Sequence, residues 1–319
     1  MSNKFYPAFL FAVAFLAATT ARAQQDPQFS LYMLNPVYYN PATAGSEGVT
    51  RFQLTHRTQW AGYQGTFDDG GAPSTQLFSF NMPLRKIRSG IGVVAMNDRL
   101  GPQINQAVQL AYALRLPLNT GTLALGVQGG LYNKGLNFDQ LRPGEPGDPL
   151  IPGGRVNQIQ PDVAAGVHYS TPVYYIGASM QHLNQSSFRL GTDRSVNPLA
   201  RAAYFTAGYR YEWNEVLDIM PSVLVKTDLN TSSFEANAIV MYDKRHWVGF
   251  GYRQQDAIMA TLGISLLNNN ALRFGYSFDF ITGGRQAKSP TSHEVLLSYS
   301  LPEPQAGRKP IIRTPRFRY

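Results

Sequence analysis

The stretch Leu272 to Phe280, LRFGYSFDF, constrains this chain more than any other feature. Leu272, Phe274, Tyr276, Phe278 and Phe280 fall on one side of an extended backbone; Arg273, Gly275, Ser277 and Asp279 fall on the other. Strict period two means a strand with one apolar and one polar face, because successive side chains point to opposite sides. The pattern recurs. Val108, Leu110, Tyr112, Leu114 and Leu116 alternate with Gln109, Ala111, Ala113 and Arg115, and Phe205, Ala207, Tyr209 and Tyr211 alternate with Thr206, Gly208 and Arg210. Val295, Leu297, Tyr299 and Leu301 alternate with Glu294, Leu296, Ser298 and Ser300. Such runs match the length of about nine to eleven residues that crosses a bilayer when tilted.

The rule predicts roughly fourteen strands. Their expected spans are 48–58, 72–83, 89–99, 103–116, 120–132, 161–171, 172–184, 198–211, 216–226, 233–243, 246–253, 256–268, 270–280 and 292–302. A soluble β-sandwich would turn the apolar faces to a core; a membrane barrel would turn them to lipid and the polar faces to a lumen. Charged residues make up only 15% of the chain, against about 25% in ordinary soluble domains. Tyr, Phe and Gly are abundant, at 18, 18 and 29, which favours the barrel. The first, third, fifth, seventh and thirteenth connections read as mostly long and turn-rich, the even ones as short, and the ninth and eleventh break the alternation. Bacterial barrels have short periplasmic turns and longer external loops. The expected fold is therefore an all-β transmembrane antiparallel barrel with both termini in the periplasm.

Before the first strand, Lys4, the apolar run Phe9 to Ala18, and Ala21-Arg22-Ala23 have the order of an export signal, residues 1–23. The alternative is an uncleaved anchor, for which the run falls short of about 20 residues. Gln24, the first residue after the expected cut, is not Cys, so no N-terminal lipoprotein is expected, and the absence of Cys anywhere excludes disulfides and thiolate metal sites. The formal charge is +8; without Lys4 and Arg22 it is +6, of which +4 lies after Leu301. The body is nearly balanced and gives no basic field for nucleic acid.

Residues 24–47 precede the expected barrel, 48–302. Asn35-Pro36 and Asn40-Pro41 favour turns and forbid a continuous strand. Phe29, Tyr32, Tyr38 and Tyr39 surround them, and burying each such side chain is worth roughly 1.5–3 kcal/mol. The expectation is a plug in the lumen or its mouth; the alternative is a disordered leader. Arg115, Arg210, Glu235, Arg253, Arg273 and Asp279 fall on lumen faces, either as an ion-pair lattice or as a permeation filter, since lipid exposure costs about 2–4 kcal/mol for a midplane Arg. The tail, 303–319, carries Arg308, Lys309, Arg313, Arg316 and Arg318 with Phe317 and Tyr319, among prolines that keep it extended. It reads as a docking peptide for periplasmic partners, or as an extension without one. The five His show no HExxH spacing and there is no G-x-S-x-G elbow. No cofactor, metal site or enzyme activity is expected.

The stretch QQDPQFSLYMLNPVYYNPATAGSEG, residues 24–48, closely resembles the opening of the PorP/SprF family of type IX secretion and gliding-motility outer-membrane proteins. Arg57-Thr58-Gln59-Trp60, Ala72-Pro73-Ser74-Thr75-Gln76, Gly90-Ile91-Gly92-Val93, Trp247 to Arg253, Phe274 to Asp279 and Ser292-His293-Glu294 are also similar to that family. The resemblance covers most of residues 24–302 and not the tail. It implies a non-catalytic barrel in the outer-membrane lipid whose partners are other secretion or gliding components or a secreted adhesin. A passive porin is the alternative function. Export is expected to remove residues 1–23, so the intact mass of the membrane form should correspond to a chain starting at Gln24; a mature protein still carrying Phe9 to Ala18 would contradict this.

Overall fold

The computed structural model describes residues 26–65, 71–142, 153–190, 197–284 and 288–302. Fourteen antiparallel strands close into one barrel. They are β1 (Arg51–Thr58), β2 (Ser74–Leu84), β3 (Ser89–Leu100), β4 (Gln103–Leu118), β5 (Gly121–Asn137), β6 (Arg155–Ser170), β7 (Tyr174–Gln181), β8 (Ala202–Tyr209), β9 (Leu217–Thr227), β10 (Ser232–Tyr242), β11 (His246–Arg253), β12 (Ala257–Leu266), β13 (Leu272–Ile281) and β14 (Thr291–Ser300). β8 resumes as Tyr211–Glu212 after a break at Arg210, and both pieces pair with β9. Each strand pairs with its sequence neighbours, and β1 pairs with β14 from Arg51↔Ser300 to Thr58↔His293. Closure leaves no sheet edge, which a bilayer demands because it offers no water to unpaired backbone groups.

The period-two pattern sets the two faces. Along β4, Asn105, Ala107, Gln109, Ala111 and Ala113 are buried while Val108, Leu110, Tyr112 and Leu114 are exposed on the outside. On β13, Gly275, Ser277 and Asp279 turn inward. Phe250, at mid-strand on β11, is 71% exposed, which in a membrane is lipid contact. Tyr174, Tyr209, Tyr211 and Trp213 cluster on the outside at one end, as interfacial aromatics do.

The start of β1 and the end of β14 share that end, here the lower mouth, with the connections 85–88, 119–120, 171–173, 213–216, 243–245 and 267–271. The upper mouth carries 59–73, 138–154, 182–201 and 282–290, all long, but also 101–102, 228–231 and 254–256, which are short. The third connection is thus a tight turn, Gly101-Pro102, rather than a loop, because β3 and β4 pair to their ends at Leu100↔Gln103. The loop expected over 133–160 is shorter at both ends: β5 and β6 pair out to Asn137↔Arg155, which leaves 138–154 as the connection. Gly and Asn residues in those strand ends weaken the alternation without interrupting the ladder. The seventh connection carries a two-stranded pairing of Ser187–Phe188 with Asn197–Pro198 that period two did not reveal.

Placing a charge at the middle of the outward face should destabilise the barrel. Phe250→Arg is expected to lose about 2–4 kcal/mol in urea unfolding from lipid vesicles. An unchanged midpoint would mean that this face does not meet hydrocarbon.

Candidate functional site

The lumen is occupied by the chain that precedes β1. Residues 32–43 form three short helical turns, Tyr32–Leu34, Pro36–Tyr39 and Pro41–Thr43. Each Asn-Pro pair starts one of the latter two, because Pro is tolerated at the first helical position, where its missing N–H costs nothing. Asn40 caps the last turn by accepting from the Ala42 amide at 2.9 Å, and its Nδ2 donates to the Val167 carbonyl at 3.0 Å. Lumen glycines make this approach possible. A Cβ at Gly90 or Gly126 would collide with the backbone of Ala44 or Ala42.

Phe29, Tyr32, Val37, Tyr38 and Tyr39 are 5% exposed or less. Edge-to-face contacts link Phe29 to Tyr38 (5.3 Å), Tyr38 to Tyr39 (4.9 Å) and Tyr39 to the wall residue Tyr204 (5.4 Å). Each such contact is worth about 0.5–1.5 kcal/mol beyond area burial. The wall answers the segment's polar backbone: Ser179 Oγ donates to the Tyr39 carbonyl and Gln181 Nε2 to the Tyr38 carbonyl, both at 2.6 Å.

Two charged clusters fix the segment's first residues. At Ser30, the amide donates to Glu294 Oε2 at 2.7 Å and the next amide, Leu31, to Oε1 at 3.1 Å. Ser30 Oγ donates to Asp279 Oδ2 at 2.6 Å and accepts from Arg57 Nη1 (2.9 Å) and Arg253 Nη2 (3.1 Å). Arg57 pairs with Asp279 at 2.7 Å and Glu294 at 3.1 Å; Arg253 pairs with Glu235 at 2.7 Å and Asp256 at 3.2 Å. Arg57, Arg253, Glu235, Asp279 and Glu294 are all 2% exposed or less. Charges so deeply buried persist only when paired and hydrogen-bonded, and removing one partner of such a pair typically costs about 3–5 kcal/mol.

At Asp26, His182 lies between two carboxylates. Its Nε2 is 3.0 Å from Asp26 Oδ1 and its Nδ1 is 2.9 Å from Asp162 Oδ1. Tyr204 donates to Asp26 Oδ2 at 2.9 Å, and Lys226 Nζ to the Asp26 carbonyl at 2.8 Å. Burial works against charge on both groups and is outweighed. His182 and Lys226 hold the Asp26 carboxyl well below its usual range, while Asp26 and Asp162 push His182 up to about 10. Imidazolium donates from both nitrogens, which suits two acceptors.

A sequence model described as type IX secretion system membrane protein PorP/SprF matches residues 21–299. The chain belongs to the PorP/SprF family. A search of curated proteins finds no match. Among solved structures, the Acinetobacter baumannii outer membrane protein Omp33 is similar over 79% of this chain and 99% of its own, with 8% identity and a TM-score of 0.46. The Pseudomonas putida toluene transporter TodX is similar over 83% of this chain and 93% of its own, with 13% identity and a TM-score of 0.48.

Within this PorP/SprF protein, an outer-membrane barrel, the site residues singled out in the sequence divide. Phe29, Tyr32, Asn35, Tyr38, Tyr39, Asn40 and Pro41 are buried in the lumen and Pro36 is half-buried. Arg253, Glu235 and Asp279 meet in one network. Arg210 does not join it; it pairs with Asp218 at 2.8 Å near the lower mouth. Among the described residues no ion pair involves Arg115 or Arg273, so the expected lattice is smaller than its six candidates. Arg57, Glu294, Ser30, Asp26 and His182 were missed. Arg57 and Glu294 were legible, since both stand on inward parity in their strands; His182 lies just past a strand end and carries no such signal. The tail residues Arg308, Lys309, Arg313, Arg316, Phe317, Arg318 and Tyr319 lie outside the described residues.

The Asp26–His182 contact has a definite pH window. The stabilisation from charged His182 is complete below its ordinary value of 6.5 and lost as pH rises through about 10. That from Asp26 is present above its ordinary value of 3.8 and lost only on strong acidification. Protease cleavage within residues 26–48 should therefore accelerate between neutral pH and pH 10, and His182→Ala should show the fast rate at neutral pH. A rate independent of pH in the wild type, with barrel mobility on gels unchanged, would remove the charge from the anchor.

Proposed function

We propose that this protein is a non-catalytic component of the type IX secretion or gliding machinery that works by protein–protein contact, with residues 26–46 occluding its lumen. One observation carries the reading: the segment's aromatic cluster and its amides are matched to wall groups from β1, β6, β7, β8, β11, β13 and β14. A passive porin would leave its lumen polar and hydrated. Family membership supports the secretion context. The partners are periplasmic subunits or a secreted adhesin held at the surface.

In this reading the lower mouth faces the periplasm, which the four long upper connections favour. The basic tail, 303–319, follows β14 from that mouth and reaches toward periplasmic partners, with its arginines meeting an acidic protein face. The described start of the chain runs the other way. Asp26 touches His182, Lys226 and Tyr204 toward the upper mouth, whereas Gly45 donates to Asn81 near the lower one. The segment therefore traverses the lumen before β1 begins.

Affinity purification of the full chain from native membranes should recover a large secreted protein or a periplasmic secretion subunit, and truncation after Pro302 should lose it while the barrel still inserts. Recovery that is independent of the tail would refute its docking role. Single-channel recording should show little conductance for the intact protein and stable open steps after deletion of 26–46. Large open steps in the intact protein would instead favour the porin.

A further inference from the structure

The outer wall of β1 to β6 carries a feature that neither occlusion nor partner docking uses. Cross-strand registers align three transverse rows there. The middle row is His56, Gln76, Asn97, Gln106, Asn133 and Ile159. Its polar members join in one hydrogen-bonded chain. Gln76 Nε2 meets His56 Nδ1 at 3.2 Å, Asn97 Nδ2 donates to Gln76 Oε1 at 2.6 Å, Gln106 Nε2 to Asn97 Oδ1 at 3.0 Å, and Asn133 Nδ2 to Gln106 Oε1 at 3.1 Å.

The row below, toward the barrel middle, is apolar: Leu54, Phe78, Ala95, Val108 and Leu131. The row above, toward the upper mouth, brings exposed Arg99 beside Asn97, and exposed Arg155 stands above Asn157 on β6. Between the rows the wall is hollowed into a groove of about 780 Å³, lined by the apolar and amide rows together and continued by Val295 and Leu297 of β14. Small Ala95 lies between the bulkier Phe78 and Val108 in the groove floor.

Four amide side chains on a lipid-facing wall are costly unless their polar groups are satisfied. The chain pairs them with one another and leaves further lone pairs and N–H groups without a partner, the Asn133 Oδ1 among them. A sequence of hydrocarbon slot, neutral amide bar and guanidinium matches an amphiphile with acyl chains, a hydroxyl- and amide-bearing head, and a phosphate. Arginine is suited to the phosphate by its planar fork of donors. A second barrel packed through an apolar stretch of its wall would leave the amide bar unsatisfied.

We infer that this groove binds one phosphorylated acylated glycolipid of the outer leaflet, with its chains along Leu54, Phe78, Ala95 and Val108 and its head on the amide bar. The choice of leaflet rests on the proposed orientation, with the upper mouth outside. Native mass spectrometry of the full-length protein, titrated separately with purified lipid A and with phosphatidylethanolamine, tests it. Lipid A should remain bound at activation energies that strip phosphatidylethanolamine. Ala95→Trp, which fills the slot, and the pair Asn97→Leu with Gln106→Leu, which removes the centre of the bar, should each weaken lipid A retention about tenfold, the first by excluding an acyl chain and the second by the loss of one or two hydrogen bonds to the head. Val248→Trp on the far wall serves as the folded control. Equal retention in all variants would overturn the site. Phosphatidylethanolamine retained in preference, and lost in the same variants, would overturn the glycolipid and the orientation while keeping the groove. A dimer mass abolished by Ala95→Trp would give the groove to a second copy.

Discussion

Every backbone amide that crosses the bilayer must find its partner inside the protein, and here that condition rests on one seam. β1 and β14, the first and last strands of the barrel, are joined over eight registered pairs. Without them the sheet would have two open edges in hydrocarbon, each with a row of unsatisfied groups worth several kcal/mol apiece. The period-two pattern follows from the same closure. Once the sheet is a cylinder, one parity meets lipid along every strand and the other meets the lumen, so Phe274 and Asp279 cannot exchange faces.

That coupling explains how much was legible in the sequence. Parity alone sorts Arg253, Glu235 and Asp279 inward and Val108, Phe274 and Leu297 outward, and the expected strand ends lie within a few residues of those observed in β3, β11 and β13. Where Gly and Asn dilute the alternation, as in 133–137 and 155–160, period two does not reveal the strand, because a ladder needs only backbone bonds and tolerates side chains without pattern. The pairing partners of the charges were not readable. Arg115, Arg210 and Arg273 share inward parity with Arg253, yet Arg210 meets its acid near the lower mouth, and Arg115 and Arg273 meet none among the described residues. Parity fixes direction, whereas pairing depends on height along the barrel and on which strands lie opposite, which follow from register.

The N-terminal segment shows the same division. Its aromatics demanded burial and its two Asn-Pro pairs demanded turns, both local statements. Which wall groups receive it depends on contacts as distant in sequence as Ser30 to Glu294 and Asp26 to Lys226. Asp26 and Ser30 are ordinary in a sequence and become informative only beside the lumen charges. Without Ser30 and Leu31, the Arg57 and Arg253 guanidinium groups would lose an acceptor hydroxyl, Asp279 a hydroxyl donor and Glu294 two amide donors, and a buried charged network left less satisfied is worse than an apolar one.

The position of that network ties segment and seam together. Arg57 and Glu294 are directly opposed across the β1–β14 junction, and Asp279 stands one strand further on. The bonds from Ser30 therefore land on the strands that complete the cylinder. The segment leads directly into β1, so it is made before any wall strand, but its anchor on Arg57, Asp279 and Glu294 is complete only when β14 has come round to β1. Docking of the segment and closure of the barrel thereby draw on the same groups: an unclosed sheet lacks the paired acid for Arg57, and a closed barrel without the segment holds charges short of donors and acceptors. An element placed in this way fills the lumen and at the same time completes the hydrogen bonding of charges that face one another across the seam, near the upper ends of the first and last strands.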